Sequence, residues 1–163
     1  MDVKIEPEAE SETAIRDHVA DKRKKRDWPF YWVSRVNARY AQALERRLKT
    51  VDLDMPRWRV LMSLQEDRYL SVSEIADFAV IKLNTATKIV QRMTADGMVT
   101  TRIAPRDARV TEVSLTAFGQ QKLALAVKEA DAIFAASFLN ISAEELRALN
   151  ATLEKVFVQI GDI

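Results

Sequence analysis

A chain of 163 residues, 48% of them apolar, is long enough to bury one hydrophobic core and short enough that a single domain is expected. Its formal charge is only +1, from 25 basic and 24 acidic residues, so attraction to a polyanion has to come from local clustering. With no cysteine and a single histidine, His18, the chain lacks the usual ligands of structural zinc and the usual nucleophiles and bases of hydrolytic triads, so no metal site, cofactor or thiol switch is expected.

Residues 1–27 carry Glu6, Glu8, Glu10 and Glu12, then the block Lys22, Arg23, Lys24, Lys25 and Arg26, with few bulky apolar groups, a composition that predicts a mobile charged arm. A solvated charge run is the plainer account of the basic block, contact with DNA phosphates the more specific one. The arm has no apolar run of the signal-peptide kind, and no stretch of the chain approaches the ~20 apolar residues that span a bilayer, so a cytoplasmic protein is expected. From Trp28 onward Tyr31, Trp32, Val36, Tyr40, Ala43, Leu44 and Leu48 recur at helical spacing, which predicts a long first helix to about Thr50. Pro56 suits a first helical turn, and Val60, Leu61 and Leu64 follow it in a shorter second helix expected to end near Asp67.

Ser71 to Glu74 has the capping-box pattern, which opens a third helix over Val72 to Phe78. After a short joint near residues 80–83, Asn84 is the expected cap of a fourth helix, with Ala86, Ile89, Val90 and Met93 inside and Gly97 closing it in a left-handed backbone. Two short helices joined so closely predict a helix-turn-helix. Residues 98–104 and 109–115 are rich in Val, Ile and Thr and flank Pro105, Arg106, Asp107 and Ala108, which predicts a β-hairpin with a basic tip. Thr116 is the expected cap of a fifth helix bearing Leu123, Val127, Ile133, Phe134 and Phe138. A second capping box, Ser142 to Glu145, opens a last helix with a stripe of Leu146, Leu149, Leu153, Val156, Phe157 and Ile160. The expected fold class is mainly α: a winged helix-turn-helix of about six helices plus a β-hairpin wing, framed by long helices at both ends.

Such a unit supplies two probes of a DNA duplex, because an α-helix fits the major groove and a slim basic loop can enter the minor groove. On the fourth helix Asn84, Thr85, Thr87 and Lys88 lie away from the apolar face, with Lys82 just before them, and short polar groups beside cations suit base edges and phosphates. Between residues 82 and 109 the cations Lys82, Lys88, Arg92, Arg102, Arg106 and Arg109 face only Asp96 and Asp107, a local excess of four. At the hairpin tip Asp107 is spaced to hold the Arg109 guanidinium extended. Taken alone the tip could be an ordinary surface turn with a weak ion pair; beside the helix pair, DNA binding is the stronger reading.

Over residues 53–119 the chain closely resembles the MarR family of bacterial transcriptional regulators. The resemblance runs through Met55 to Leu61, Ser73 to Ala76, Asn84 to Met93, Gly97 to Val99, Asp107 to Arg109 and Leu115 to Gly119. It implies one domain over 28–163, in which helices at 28–50 and 116–163 pair two subunits and the lobe at 53–119 binds DNA. The fourth helix then enters the major groove and Arg109 the minor groove, and a two-fold homodimer reads a near-palindromic operator with half-sites ~10 base pairs apart. Two departures stand out: Arg57 where glutamine is common, and Ala108 in place of a frequent arginine or lysine.

Members of the family commonly release DNA when a small molecule, often an aromatic acid, settles between the dimerising helices and the DNA-binding lobe. By that resemblance the chain is expected to be a ligand-responsive repressor, with Trp28, Tyr31, Ser34, Arg35, Trp58 and Met62 as candidate effector residues, aromatic walls around a carboxylate-binding arginine. The alternative is that the same aromatics serve core and dimer packing. Two other classes remain as alternatives: an enzyme on a small aromatic compound using Glu74 and Asp77, which capping and a solvated helix face explain better, and a winged-helix module that binds protein.

Overall fold

The computed structural model describes residues 24–161. Most of the expected charged arm, His18 included, and residues 162–163 lie outside the described residues. Two compact units divide between Gln42 and Ala43.

In the first unit a 3-10 turn, Lys25–Asp27, leads into helix α1, Pro29–Leu48, whose fixed-φ proline occupies the first helical position. The Trp32 indole N–H donates to the Arg26 carbonyl at 2.8 Å, fastening the turn to the helix.

The second unit takes in the end of α1, where Leu44 and Leu48 are buried. Helix α2, Met55–Ser63, is capped by Asp54, whose carboxylate accepts from the Arg57 amide at 2.9 Å. It stops short of Asp67: the Leu64 and Gln65 amides turn back onto the Leu61 and Met62 carbonyls, which closes the helix with Leu64 in the core. Strand β1, Leu70–Ser71, is too short to be legible as a periodic pattern. Helix α3, Val72–Phe78, carries the expected capping box, and helix α4, Leu83–Ala95, follows. Strands β2, Val99–Ala104, and β3, Asp107–Leu115, form the wing in an antiparallel sheet of order β1-β3-β2. Helix α5, Ala117–Ser137, and helix α6, Ala143–Gly161, complete the unit.

One core holds the end of α1, α2 to α5 and the sheet together. Leu44, Leu48, Trp58, Leu61, Ile75, Val90, Met93, Val99, Val113 and Leu123 form a single buried cluster, so α4 and the sheet are positioned by the same apolar contacts. Thr116 caps α5 by accepting from the Gly119 amide, and its hydroxyl lies 2.6 Å from the Gly97 carbonyl. A Cβ on Gly119 would collide with the Met98 carbonyl oxygen, so only glycine allows α5 to start this close to β2.

Helices α3 and α4 end alike. After α4, Met98 N–H bonds to Met93 O and Gly97 N–H to Thr94 O, with Gly97 at φ 74°. After α3, Ile81 N–H bonds to Ala76 O and Val80 N–H to Asp77 O, with Val80 at φ 54°. The second case puts a β-branched residue in the left-handed region, a strained choice at the turn of the helix-turn-helix.

Candidate nucleic-acid interface

Helix α4 buries Ala86, Val90 and Met93, which aims its other face outward. Its start corrects the expected cap: Lys82, in extended backbone, is the N-cap, and its carbonyl accepts from the Thr85 and Ala86 amides at 2.9 and 3.0 Å. Asn84 is therefore the second residue of the helix, and no side chain caps it. Asn84, Thr85 and Lys88 are exposed on the first turns, while the Thr87 hydroxyl donates back to the Leu83 carbonyl at 2.9 Å.

The wing tip is irregular in a way that displays Arg109. Cross-strand pairing steps from Ile103 with Thr111 to Ala104 with Asp107, so residues 108–110 bulge from β3 and Pro105 and Arg106 make the turn. Asp107 grips Arg109: one carboxylate oxygen accepts from its amide at 3.0 Å and from Nε at 3.1 Å, the other from Nη2 at 3.1 Å. These bonds, the guanidinium's first and the amide's second, hold the Asp107 carboxyl below its usual range, and the same pairing pushes Arg109 up. The guanidinium still stands in solvent, its side chain 90% exposed.

Not every cation of the cluster is on offer. Arg102 is bound by Glu112 across the sheet at 2.7 Å, and its guanidinium lies 3.3 Å from the centre of the Tyr69 ring, an arrangement that braces the wing. Asp96, at the end of α4, is held by Arg57 at 2.7 Å, so this anion answers to a cation outside the cluster. Lys82, Lys88, Arg92 and Arg106 have no carboxylate within 4.0 Å among the described residues.

Leu83, Thr87 and Gln91 of α4 and Thr101, Arg109 and Thr111 of the wing line one cleft of about 550 Å³. Helix and wing thus border one cleft. Leu83 and Gln91 were outside the sequence-based selection; the four-residue spacing of 83, 87 and 91 along one helical face is the signal that marks them.

The candidate effector residues fall in different units. Trp28, Tyr31, Ser34 and Arg35 belong to the first, where the Arg35 guanidinium lies 5.4 Å from the Tyr31 ring centre. Trp58 and Met62, on α2, belong to the second; Trp58 is a core residue and Met62 packs against that core. Among the described residues no cluster of three or more His, Asp or Glu could hold a metal ion, and no helix is long and apolar enough to cross a membrane.

Paired helices with a β-hairpin wing define a winged helix-turn-helix. The MarR family profile matches residues 51–110. The chain is 45% identical to the HTH-type transcriptional repressor IacR of Pseudomonas putida over 141 residues, 86% of this chain and 84% of that protein. The fold is also that of a MarR-family transcriptional regulator from Silicibacter pomeroyi, with TM-score 0.77 and 24% identity over 84% of this chain and 92% of that one. Bordetella bronchiseptica BpsR, whose DNA binding is regulated by 6-hydroxynicotinic acid, shares it with TM-score 0.67 and 21% identity over 77% and 96% of the two chains. The chain belongs to the MarR family of winged helix-turn-helix transcriptional regulators.

Proposed function

We propose that the protein is a transcriptional repressor that binds a near-palindromic operator as a homodimer and lets go when a small aromatic acid binds. The observation that carries the DNA-binding part is the shared cleft: Thr87 and Gln91 of α4 and the extended Arg109 of the wing line one volume, and Asn84, Thr85 and Lys88 are exposed on the same helix. In this reading Lys82, Asn84, Thr85, Thr87 and Lys88 meet the major groove and its phosphates, and Arg106 and Arg109 the minor groove, with Asp107 keeping Arg109 extended.

The homodimer is supported by α6. None of its residues is buried, and Leu149, Leu153, Phe157 and Ile160 are exposed along one stripe. Such a helix has little stability alone in water, and a second copy of the same helix would cover its apolar face. Helices at 28–50 and 116–163 then pair the subunits and the lobe at 53–119 binds DNA, with half-sites ~10 base pairs apart.

Repression is read from the Pseudomonas putida relative, and the aromatic acid from the ligand of BpsR and the Arg35 guanidinium beside Tyr31. The acid acts by preferring a dimer whose recognition helices no longer match the groove spacing. A catalytic role is not part of this reading, since Glu74 is occupied in the capping box of α3. The site of action is the cytoplasm, where the operator is.

Duplexes selected by the full-length protein from a random-sequence pool test the proposal. The selected sequence is expected to be two-fold symmetric, bound by a dimer in sedimentation, and released by one of a panel of benzoate and pyridine carboxylates. Absence of any preferred duplex, or binding by a single subunit, would refute it.

A further inference from the structure

The cleft between α4 and the wing is poor in cations yet lined with hydroxyls, and the hydrogen-bond pattern separates those already engaged from those still able to donate. Thr87 and Thr94 donate back to the carbonyls of Leu83 and Val90 at 2.9 Å each. Ser71 donates to Glu74 at 2.6 Å, which leaves Ser73 donating to Ser71 at 2.9 Å. Thr101, Thr111 and the Gln91 amide make no side-chain hydrogen bond among the described residues, and all three are exposed. Thr101 stands opposite Val113 and Thr111 opposite Ile103, so both hydroxyls leave the same face of the sheet, toward α4.

We infer that this cleft is a seat for one phosphodiester strand, held by neutral donors: Thr101 and Thr111 from the wing and Gln91 from α4. The inference rests on the DNA-binding reading above and deepens it. If α4 occupies the major groove and Arg109 the adjacent minor groove, the sugar-phosphate strand dividing those grooves has to run between them, through this cleft. A phosphate oxygen is a strong acceptor, and Thr101, Thr111 and Gln91 each have a donor free to meet it, while their own acceptor oxygens can stay with water. Neutral donors also release no counterion, so their share of the affinity is insensitive to salt.

Thr101→Val and Thr111→Val keep shape and β-branching and remove only the hydroxyl. On the duplex selected by the full-length wild-type protein, each is expected to weaken binding about tenfold per subunit, about a hundredfold for the dimer, since bonds to charged groups exceed neutral ones. The slope of log affinity against log salt stays at the wild-type value, whereas Lys88→Ala lowers it by about one unit per subunit. Scanning the strand with single methylphosphonates should find a linkage between the two groove contacts that weakens wild-type binding and leaves the double threonine variant indifferent. Wild-type affinity in both valine variants, a loss that comes with a reduced salt slope, or equal sensitivity of the double variant to that methylphosphonate overturns the inference while the DNA-binding reading stands. A wild-type protein that selects no duplex overturns both.

Discussion

Arg109→Ala removes a side chain that is 90% exposed and whose side-chain hydrogen bonds among the described residues all go to Asp107, so its effect on folding is confined to the wing tip. In the proposed complex the loss has two parts: a cation leaves the minor groove, and the Asp107 carboxylate it had neutralised is left facing phosphates. A groove contact of this kind is worth about 1–3 kcal/mol, and the proposed dimer would use two wings, so the expected loss is about 2–6 kcal/mol, from about 30-fold to about 10⁴-fold in affinity. The salt slope should fall by about two units, close to one for each wing. Titrations followed by fluorescence anisotropy between ~50 and ~200 mM salt read both quantities, and sedimentation checks that the variant is still a dimer. The variant lacking Asp107 as well, D107A/R109A, no longer presents the bare carboxylate and is expected to recover part of the affinity but none of the slope. Unchanged affinity and slope in Arg109→Ala would remove the wing from the interface.

Val80→Asn should stabilise the fold: asparagine tolerates the left-handed backbone, the strain relieved is about 1 kcal/mol, and almost no burial is lost because Val80 is 86% exposed. At fixed protein concentration that is a rise of about 2–4 °C in Tm by calorimetry, and a lower Tm would mean that the turn stores no strain there. Leu153→Asp puts two unpaired carboxylates into the proposed pairing of α6 helices and should yield monomers in sedimentation; a variant that stays dimeric at micromolar concentration would move the interface elsewhere. The Glu74 carboxyl is held below its usual range by the Ser71 hydroxyl first and the Ser71 amide second. A depressed folded value adds stability above the unfolded value of ~4.3 and loses it as pH falls through the folded one. The Tm gap between wild type and Glu74→Gln should therefore be full near neutrality and close in acid, and a gap independent of pH would show that charge has no part in the cap.

Helices announced by caps and long apolar periods were legible: α3 runs from Val72 to Phe78 as its capping box and apolar spacing imply, and Thr116 and Ser142 open α5 and α6. What failed to show was decided by tertiary contacts. Asn84 is a good cap in isolation, yet α4 starts earlier because Lys82 adopts the extended backbone that lets its carbonyl take the first helical bonds. The left-handed turn after α4 is visible because glycine fills it; the same turn after α3 is hidden because Val80 does. Strand β1 exists through its pairing of Leu70 with Val113 and Ser71 with Glu112, and two residues carry no period to read. Of the interface, the charges and the Asp107–Arg109 pair were legible and the other pairings were not: Arg102 counts as a free cation until Glu112 and Tyr69 are seen around it.

That pairing changes the meaning of the two departures from the family pattern. Ala108 lies in the bulge of β3 and leaves Arg106 and Arg109 as the cations of the tip, so the wing carries less charge than a relative with arginine or lysine there. Arg57 adds a cation at the other end of the recognition helix, where it holds Asp96 at 2.7 Å and stands 3.8 Å from the Asp54 that caps α2. A cation at the C-terminal end of α4 is favoured by the helix dipole, and the link from α2 to the last turn of α4 resists rotation of the recognition helix. A helix held in place loses less freedom when it enters a groove, and a guanidinium already held extended by Asp107 loses less when it follows. On the proposed reading, affinity then depends more on pre-positioned groups than on the number of charges, which would let a protein of net charge +1 address a polyanion.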